Sequence, residues 1–243
     1  MGNPVRTSRL MSAVAAAAVL LLAGCGGSSG SAASSSPSAS SNGVADLTAD
    51  QILAKATTAA KAQTSVHVSG KGAAGSDSVG LDLQLAKGKG GFGSITLAGD
   101  TLKVVSDGTT VYFKGDKNFW TNQASAQAAT LIGDRWLKAP VTNKSFASLA
   151  QFADFDATIT GILKPDGAIT KGTTKDIGGT PAIELKSSSG SLWVATTGEP
   201  LPLKISTGKA GEELSFTNWG ATLDVKSQIP VEKDTIDLSQ LGG

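Results

Sequence analysis

The feature that most constrains the fold of this chain is a two-residue alternation of apolar and polar or small side chains. It is clearest over residues 79–86, where valine and leucine alternate with glycine, aspartate, glutamine and alanine. This period is typical of a strand with one buried face. Further strands are predicted at 66–71, 91–98, 101–106, 109–114, 135–138, 173–177, 181–187, 191–195, 202–207, 212–218 and 222–226. Their spacing of about eight to twelve residues favours an antiparallel meander.

Three segments break the strand rhythm. Thr48 and Gln51 have the spacing of a capping box, which predicts a helix that runs to about Ala62. Residues 117–132 are polar and alanine-rich, and residues 145–163 have apolar side chains at helical spacing. Helices grouped beside one large antiparallel sheet predict a single α+β domain.

The N-terminus has the organisation of a secretory signal. Arg6 and Arg9 form a positive start, and residues 10–23 form an apolar stretch of about fourteen residues, too short to span about 30 Å of hydrocarbon as a helix. Leu22-Ala23-Gly24-Cys25 then matches a bacterial lipobox. We therefore expect residues 1–24 to be a cleaved lipoprotein signal peptide and Cys25 to be lipidated, with palmitate as an expected acyl chain. The alternative is an ordinary signal peptide with a chance cysteine.

The region after Cys25 is predicted to separate an anchor from a folded domain. Residues 25–45 are rich in serine, glycine and alanine and lack the apolar surface needed for a core, so we expect a flexible tether. A single domain is predicted over residues 46–243. Cys25 is the only cysteine, which leaves that domain without an internal disulfide. We expect an extracytoplasmic protein that is lipid-anchored to the cell membrane.

The residues offer little catalytic chemistry. His67 is the only histidine, and its strand position between two valines favours a hydrogen-bonded surface side chain over a catalytic role. Asp154 and Asp156 are two apart in a predicted helix, so we expect them to be surface acids. Residues 88–93 satisfy G-x-G-x-x-G, but a strand follows them, and this predicts a glycine-rich hairpin turn. We expect no enzyme activity, no cofactor and no metal site, and the nearly balanced charge gives no reason to expect a nucleic-acid partner.

The predicted strands share one continuous aliphatic face. Side chains of this kind either pack against the helices as a filled core or leave a dry cavity suited to an alkyl chain. The candidate cavity residues are Val79, Leu81, Leu83, Leu85, Ile95, Leu97, Leu102, Val104, Val111, Phe113, Leu203, Ile205, Leu214 and Phe216. Aromatic residues make up only 5% of the chain, so few large rings are present to fill such a space.

Two segments and the order of elements resemble a known family. Residues 108–114 together with 136–138, and the strand, glycine turn and Pro-Leu strand of residues 192–204, are similar to the LprG/LppX-type lipoproteins of actinobacteria. The related LolA/LolB carriers share this hairpin arrangement. The resemblance implies a half-barrel, a large curved antiparallel sheet with helices on its concave face, and a hydrophobic cavity for acylated lipids or glycolipids.

The sequence thus favours a non-enzymatic lipoprotein that binds or carries acylated lipids or glycolipids. Its expected partners are the membrane, through the N-terminal anchor, and the lipid ligand, while an envelope transporter as a further partner stays open. The alternative is a surface structural or sensor lipoprotein with a filled core that acts through other envelope proteins. A hydrolase is a third hypothesis, which lacks an evident pair of nucleophile and base.

Overall fold

The computed structural model describes residues 40–74 and 77–240, which belong to one compact unit, Ala39–Gly243. The predicted signal peptide, the lipidation site Cys25 and most of the tether lie outside the described residues, so they stay predictions. Within the described part of the chain, no helix is long and apolar enough to cross a membrane.

Twelve strands build one sheet. They are β1 Ser65–Ala74, β2 Asp77–Ala86, β3 Gly90–Leu97, β4 Asp100–Ser106, β5 Thr110–Gly115, β6 Trp136–Pro140, β7 Thr170–Ile177, β8 Thr180–Ser187, β9 Gly190–Ala195, β10 Pro202–Ser206, β11 Glu213–Thr217 and β12 Thr235–Asp237. Their order across the sheet is β12-β6-β5-β4-β3-β2-β1-β11-β10-β9-β8-β7. All neighbours are antiparallel except β12 and β6, which are parallel. The predicted α+β fold class is confirmed.

The strand order explains why helices cover one face of the sheet, which we call the inner face. The first meander starts in the middle of the sheet at β1 and ends near one edge at β6, whereas the second starts at the opposite edge with β7. The second meander then returns to the middle, where β11 pairs with β1. Residues 141–169 must therefore carry the chain from one edge of the sheet to the other. The helices in this segment lie across the inner face.

Five α-helices are present in the described residues. They are α1 Ala49–Ala62, α2 Lys117–Gln123, α3 Ala126–Ile132, α4 Ala147–Phe152 and α5 Phe155–Ile162. The predicted capping box is confirmed, since the Gln51 amide donates to Thr48 Oγ1 at 3.4 Å and the Thr48 amide donates to Gln51 Oε1 at 3.1 Å. The predicted segment 145–163 is two helices because Asp154 interrupts it as the N-cap of α5.

Two predicted boundaries are wrong. Residues 222–226 form no strand, since they run without regular pairing into a 3₁₀ turn, Lys226–Gln228, and the last strand is β12. The glycine-rich turn is shorter than predicted, because only residues 87–89 turn and Gly90 already begins β3. A side chain on Gly90, whose φ is +87°, would overlap the Ser106 carbonyl of β4. Glycine is needed there for close strand approach.

The folded region begins earlier than residue 46. Ser41 forms an isolated bridge with Thr197, and Asn42 Nδ2 donates to the carbonyls of Ala195 and Gly198 at 3.1 Å each. Val44 is 2% exposed and belongs to the core around α1. The last residues of the predicted tether are thus part of the domain, because their backbone and one valine find partners at the end of β9.

The core has three parts. The central cluster joins the middle strands to Phe155 and Ile159 of α5, and a second cluster lies between α1 and β8–β9. The third gathers aromatic rings where α2 covers β4–β6, with Phe113 and Phe146 centroids 4.9 Å apart. The central cluster also holds two buried rings, Phe155 and Phe216, but most of its buried side chains are aliphatic.

Candidate functional site

Thirteen of the fourteen predicted cavity residues lie on the inner face of the sheet. Residues directly opposite each other on paired strands share a face, and Leu83 stands opposite Val68, which stands opposite Phe216. Ten of the fourteen are buried: Val79, Leu83, Leu85, Ile95, Leu102, Val104, Val111, Phe113, Leu214 and Phe216. The partly exposed ones are Leu81, Leu97, Leu203 and Ile205.

The fourteenth, Leu203, lies in a register shift between Pro202 and Lys204 that interrupts the alternation. Pro202 is buried and stands opposite Val194, which is fully buried, whereas Leu203 is partly exposed and belongs to none of the three core clusters of the described residues. A bulge shifts side chains from one face to the other, and a strict two-residue pattern cannot show it.

The corner between α4 and α5 rests directly on the sheet. Ala153 in this corner is 1% exposed, and its carbonyl lies 3.1 Å from the point where a Cβ on Gly91 would stand. Asp154 accepts the Ala157 amide at 2.7 Å, and the Thr158 hydroxyl donates to the Gln151 carbonyl at 3.0 Å. The missing side chain at Gly91 lets the corner approach, and the two hydrogen bonds fix the angle between the helices.

Lys87 connects the covering helices to the β2–β3 turn. Its ammonium donates to the Lys61 carbonyl at the end of α1, lies 3.7 Å from an Asp156 carboxylate oxygen and is 5.9 Å from the centroid of the Phe155 ring. One cation thus contacts both α1 and α5. These contacts join the end of α1 to the start of α5 beside the turn between β2 and β3.

An apolar groove opens between α4, α5 and β2, and we call it the helix groove. It has a volume of about 380 Å³, within the roughly 300–1,000 Å³ typical of small-molecule sites. Its lining is Leu81, Ser148, Gln151, Phe152, Ala157, Thr158, Gly161 and Ile162. No charged side chain of the described residues lines it, so the groove suits an uncharged, largely apolar ligand.

A narrower groove, the strand groove, lies on the other side of Ile162. It has a volume of about 80 Å³ and an apolar floor that includes Leu53, Leu185, Leu192 and Ile205. Ser187, Ser189 and Lys164 stand at its rim. Ile162 lines both grooves and so separates one from the other.

The predicted site and the grooves overlap in two residues, Leu81 and Ile205. The helix side of the site, above all Phe152, Gly161 and Ile162, was absent from the prediction. Its signal was present in the helical spacing of residues 145–163, but the sequence did not show which turn of these helices would stand clear of the sheet. Whether any of these side chains contacts a lipid stays a prediction.

The polar candidates lie away from the grooves or serve structural roles. His67 is on the outer face, as its position between buried Val66 and Val68 predicts, and its Nε2 lies 2.7 Å from Asp82 Oδ1. Asp154 caps α5, and Asp156 faces Lys87. Among the described residues, no group of three or more histidine, cysteine, aspartate or glutamate side chains is placed to hold a metal ion.

No protein-family model matches the chain. No curated protein matches it either. Among solved structures, the crystal structure of LprF from Mycobacterium bovis is similar to it, with 14% sequence identity and a TM-score of 0.47, over 73% of this chain and 95% of that chain. At that level of likeness, the fold assignment rests on the sheet order and strand pairing described above.

Proposed function

We propose that this protein is an extracytoplasmic, lipid-anchored lipoprotein that binds an acyl chain of a lipid or glycolipid in the helix groove and catalyses no reaction. The observation that carries the proposal is the helix groove itself, an uncharged pocket of ligand size on the inner face of the sheet. The lipobox at Cys25 and the resemblance of the sequence to lipid-binding lipoproteins support it.

The groove chemistry favours an alkyl chain. Leu81, Phe152 and Ile162 offer apolar surface, while Ser148 and Gln151 place neutral hydrogen-bonding groups beside it. An alkyl chain removes such apolar surface from water at a gain of about 25 cal/mol per Å². A neutral ester or sugar hydroxyl at the end of the chain would pair with the serine and glutamine side chains.

The groove holds part of a lipid and not a whole one. The strand groove adds only about 80 Å³, so binding of several acyl chains requires Ile162 and the end of α5 to move. Residues 163–169 connect α5 to β7 and form no helix or strand, and Thr170 is the first residue of β7. Such connections open more easily than paired strands do.

A filled-core structural or sensor lipoprotein is the second candidate, and one observation favours it. Leu83, Leu85, Ile95 and Val104 are each 0% exposed beneath α5. The middle of the sheet is therefore packed, and the space available to a ligand is confined to the grooves beside α5.

Copurified lipid tests the proposal. The full-length protein is isolated from the membranes of its native host, extracted with organic solvent and examined by mass spectrometry. Two matched variants sharpen the result, because Leu81 and Leu97 are both partly exposed leucines on the same face of neighbouring strands and only Leu81 lines the helix groove. We expect Leu81→Trp to lose the lipid and Leu97→Trp to keep it.

Two results would contradict the proposal. One is the absence of any bound lipid in the native protein, together with no uptake of a fluorescent fatty acid by the lipid-free protein. The other is equal retention of lipid by both tryptophan variants. Either result, with a partner captured through the intact N-terminal segment, would favour the structural or sensor function.

A further inference from the structure

The outer face of the sheet carries a third groove, which shares only Leu81 with the helix groove. Two hollows, of about 670 and 380 Å³, meet at Asp82 and Ser94, which line both. We call them together the outer groove. The lining residues that bear on its chemistry are Lys71, Asp82, Gln84, Phe92, Lys103 and Trp136.

The outer groove follows strand β2. Ser78, Asp82 and Gln84 alternate with the inward-facing leucines, so they point to the outer side along a path of about 20 Å, at about 3.4 Å per residue. Gly80 lies in the same row and has no side chain to interrupt it. A floor of this length accommodates an extended chain molecule better than a compact one.

One end of the outer groove is aromatic. Phe92 and Trp136 are both partly exposed, and Val105, opposite Phe92 on β4, is buried. Partly exposed rings beside hydrogen-bonding groups offer an apolar face to a ligand whose other faces are polar. The C–H faces of a sugar ring have this character, while its hydroxyl groups provide the polar faces.

The polar lining is held in place before a ligand arrives. His67 Nε2 lies 2.7 Å from Asp82 Oδ1, and the Thr217 hydroxyl lies 3.3 Å from His67 Nδ1, which together fix the Asp82 carboxylate. The hydroxyls of Thr96 and Thr101 lie 3.1 Å apart. Groups fixed in this way lose little conformational freedom on binding.

We propose that the outer groove binds a neutral oligosaccharide, with Trp136 and Phe92 stacking on one sugar ring and Asp82, Gln84 and Ser94 bonding its hydroxyls. An alkyl chain would leave these polar groups unpaired. The charged side chains that line the groove are of both signs, Asp82 against Lys71 and Lys103, so the lining matches no single ligand charge. The two sites share only Leu81, and neither Trp136 nor Ser94 lines the helix groove, so the sugar test and the lipid test succeed or fail separately.

The test is calorimetric titration of the full-length protein with three soluble tetrasaccharides: maltotetraose, cellotetraose and an α-linked mannotetraose. We expect at least one to bind and Trp136→Ala to weaken its affinity about tenfold, the usual cost of removing a central aromatic contact. Trp193→Ala is the matched control, because Trp193 is also a partly exposed outer-face tryptophan but lies on β9, outside the groove, with the Lys175 ammonium 6.0 Å from its ring centroid.

Ser94→Trp is a second variant, which tests the proposal even if Trp136→Ala does not fold. Ser94 lies where the two hollows meet, so a tryptophan there fills the groove without removing any aromatic contact. We expect this variant to lose binding as well, with an unchanged circular dichroism spectrum. Failure of all three sugars to bind, or an equal loss of affinity in Trp193→Ala and Trp136→Ala, would overturn the proposal.

Discussion

Truncation of Leu83 and of Leu81 distinguishes a packed sheet from one that encloses a void. Both leucines lie on β2 and face inward, but Leu83 is 0% exposed within the central cluster whereas Leu81 is partly exposed and lines the helix groove. The pair is matched in residue type, strand and face. It differs only in whether the surrounding side chains enclose it.

The expected magnitudes follow from this difference. Removal of a fully enclosed leucine costs the transfer free energy of its methyl groups and leaves a cavity, which together lower the free energy of unfolding by about 2.7–5 kcal/mol. Leu81→Ala leaves no closed cavity, since its site already opens to solvent, and forfeits part of the transfer term, about 1 kcal/mol. We therefore expect Leu83→Ala to be the more destabilising by roughly 2–4 kcal/mol.

The assay is urea unfolding followed by circular dichroism. With a slope of roughly 2 kcal/mol per M, Leu83→Ala should lower the midpoint by about 1.5–2.5 M, and Leu81→Ala by about 0.5 M. Equal midpoints for the two variants would refute the packed interior, because they would mean that Leu83 also borders empty space. Equal slopes for wild type and variants are the control that the native state stays compact.

Further predictions concern the helix corner, the Asp107 carboxylate in a turn, and the contacts of Lys87. Gly91→Ala should destabilise by about 1–3 kcal/mol in urea unfolding, because the new Cβ would lie 2.8 Å from the Gln84 carbonyl and 3.1 Å from the Ala153 carbonyl of the corner. Gly161→Ala has nothing within 4 Å of its new Cβ and should be neutral or stabilising, and the reverse order would contradict the close approach. Burial raises the pKa of Asp107, but hydrogen bonds from the Thr109 hydroxyl and the amides of residues 109 and 110 outweigh it and hold the pKa below its ordinary 3.8. The Asp107 carboxylate therefore contributes stability above about pH 4, and this contribution is lost as the pH falls through the lowered folded-state pKa. Thermal scans between pH 5 and pH 3 should therefore show a smaller loss of stability for Asp107→Asn than for wild type. An equal loss in both proteins would count against this. Lys87→Met should speed hydrogen exchange of the α5 amides and leave that of the β4 amides unchanged. Exchange of the α5 amides at the wild-type rate would show that Lys87 does not stabilise this helix.

Much of the sheet could be predicted because its physical signal is local. Alternation over residues 79–86 and the Thr48–Gln51 capping box depend only on neighbours in the chain, and both are confirmed. The bulge at Pro202–Lys204 could not be predicted in this way, because it depends on how β9 and β10 pair. The same holds for β12, whose three residues gain a strand partner only through the parallel contact with β6.

The candidate site was harder to predict than the fold. The run of glycines at 88–93 predicts a turn, yet Gly91 is the contact point of the α4–α5 corner, which comes from residues about sixty positions later. Whether the inner face is filled depends on where that corner rests. The aliphatic pattern was therefore equally compatible with a cavity and with a core, and the structure divides it into a packed centre and two grooves.

The position of β1 in the middle of the sheet has a consequence for the order of folding. His67 of β1 and its partner Thr217 of β11 are 150 residues apart, so one edge of β1 stays without a partner until nearly the whole chain has been made. An unpaired edge of this kind invites association between chains. We expect the pairing of β1 with β11 to be the last to form. Until it forms, the exposed edge of β1 limits the folding rate and the protein concentration at which refolding succeeds without aggregation.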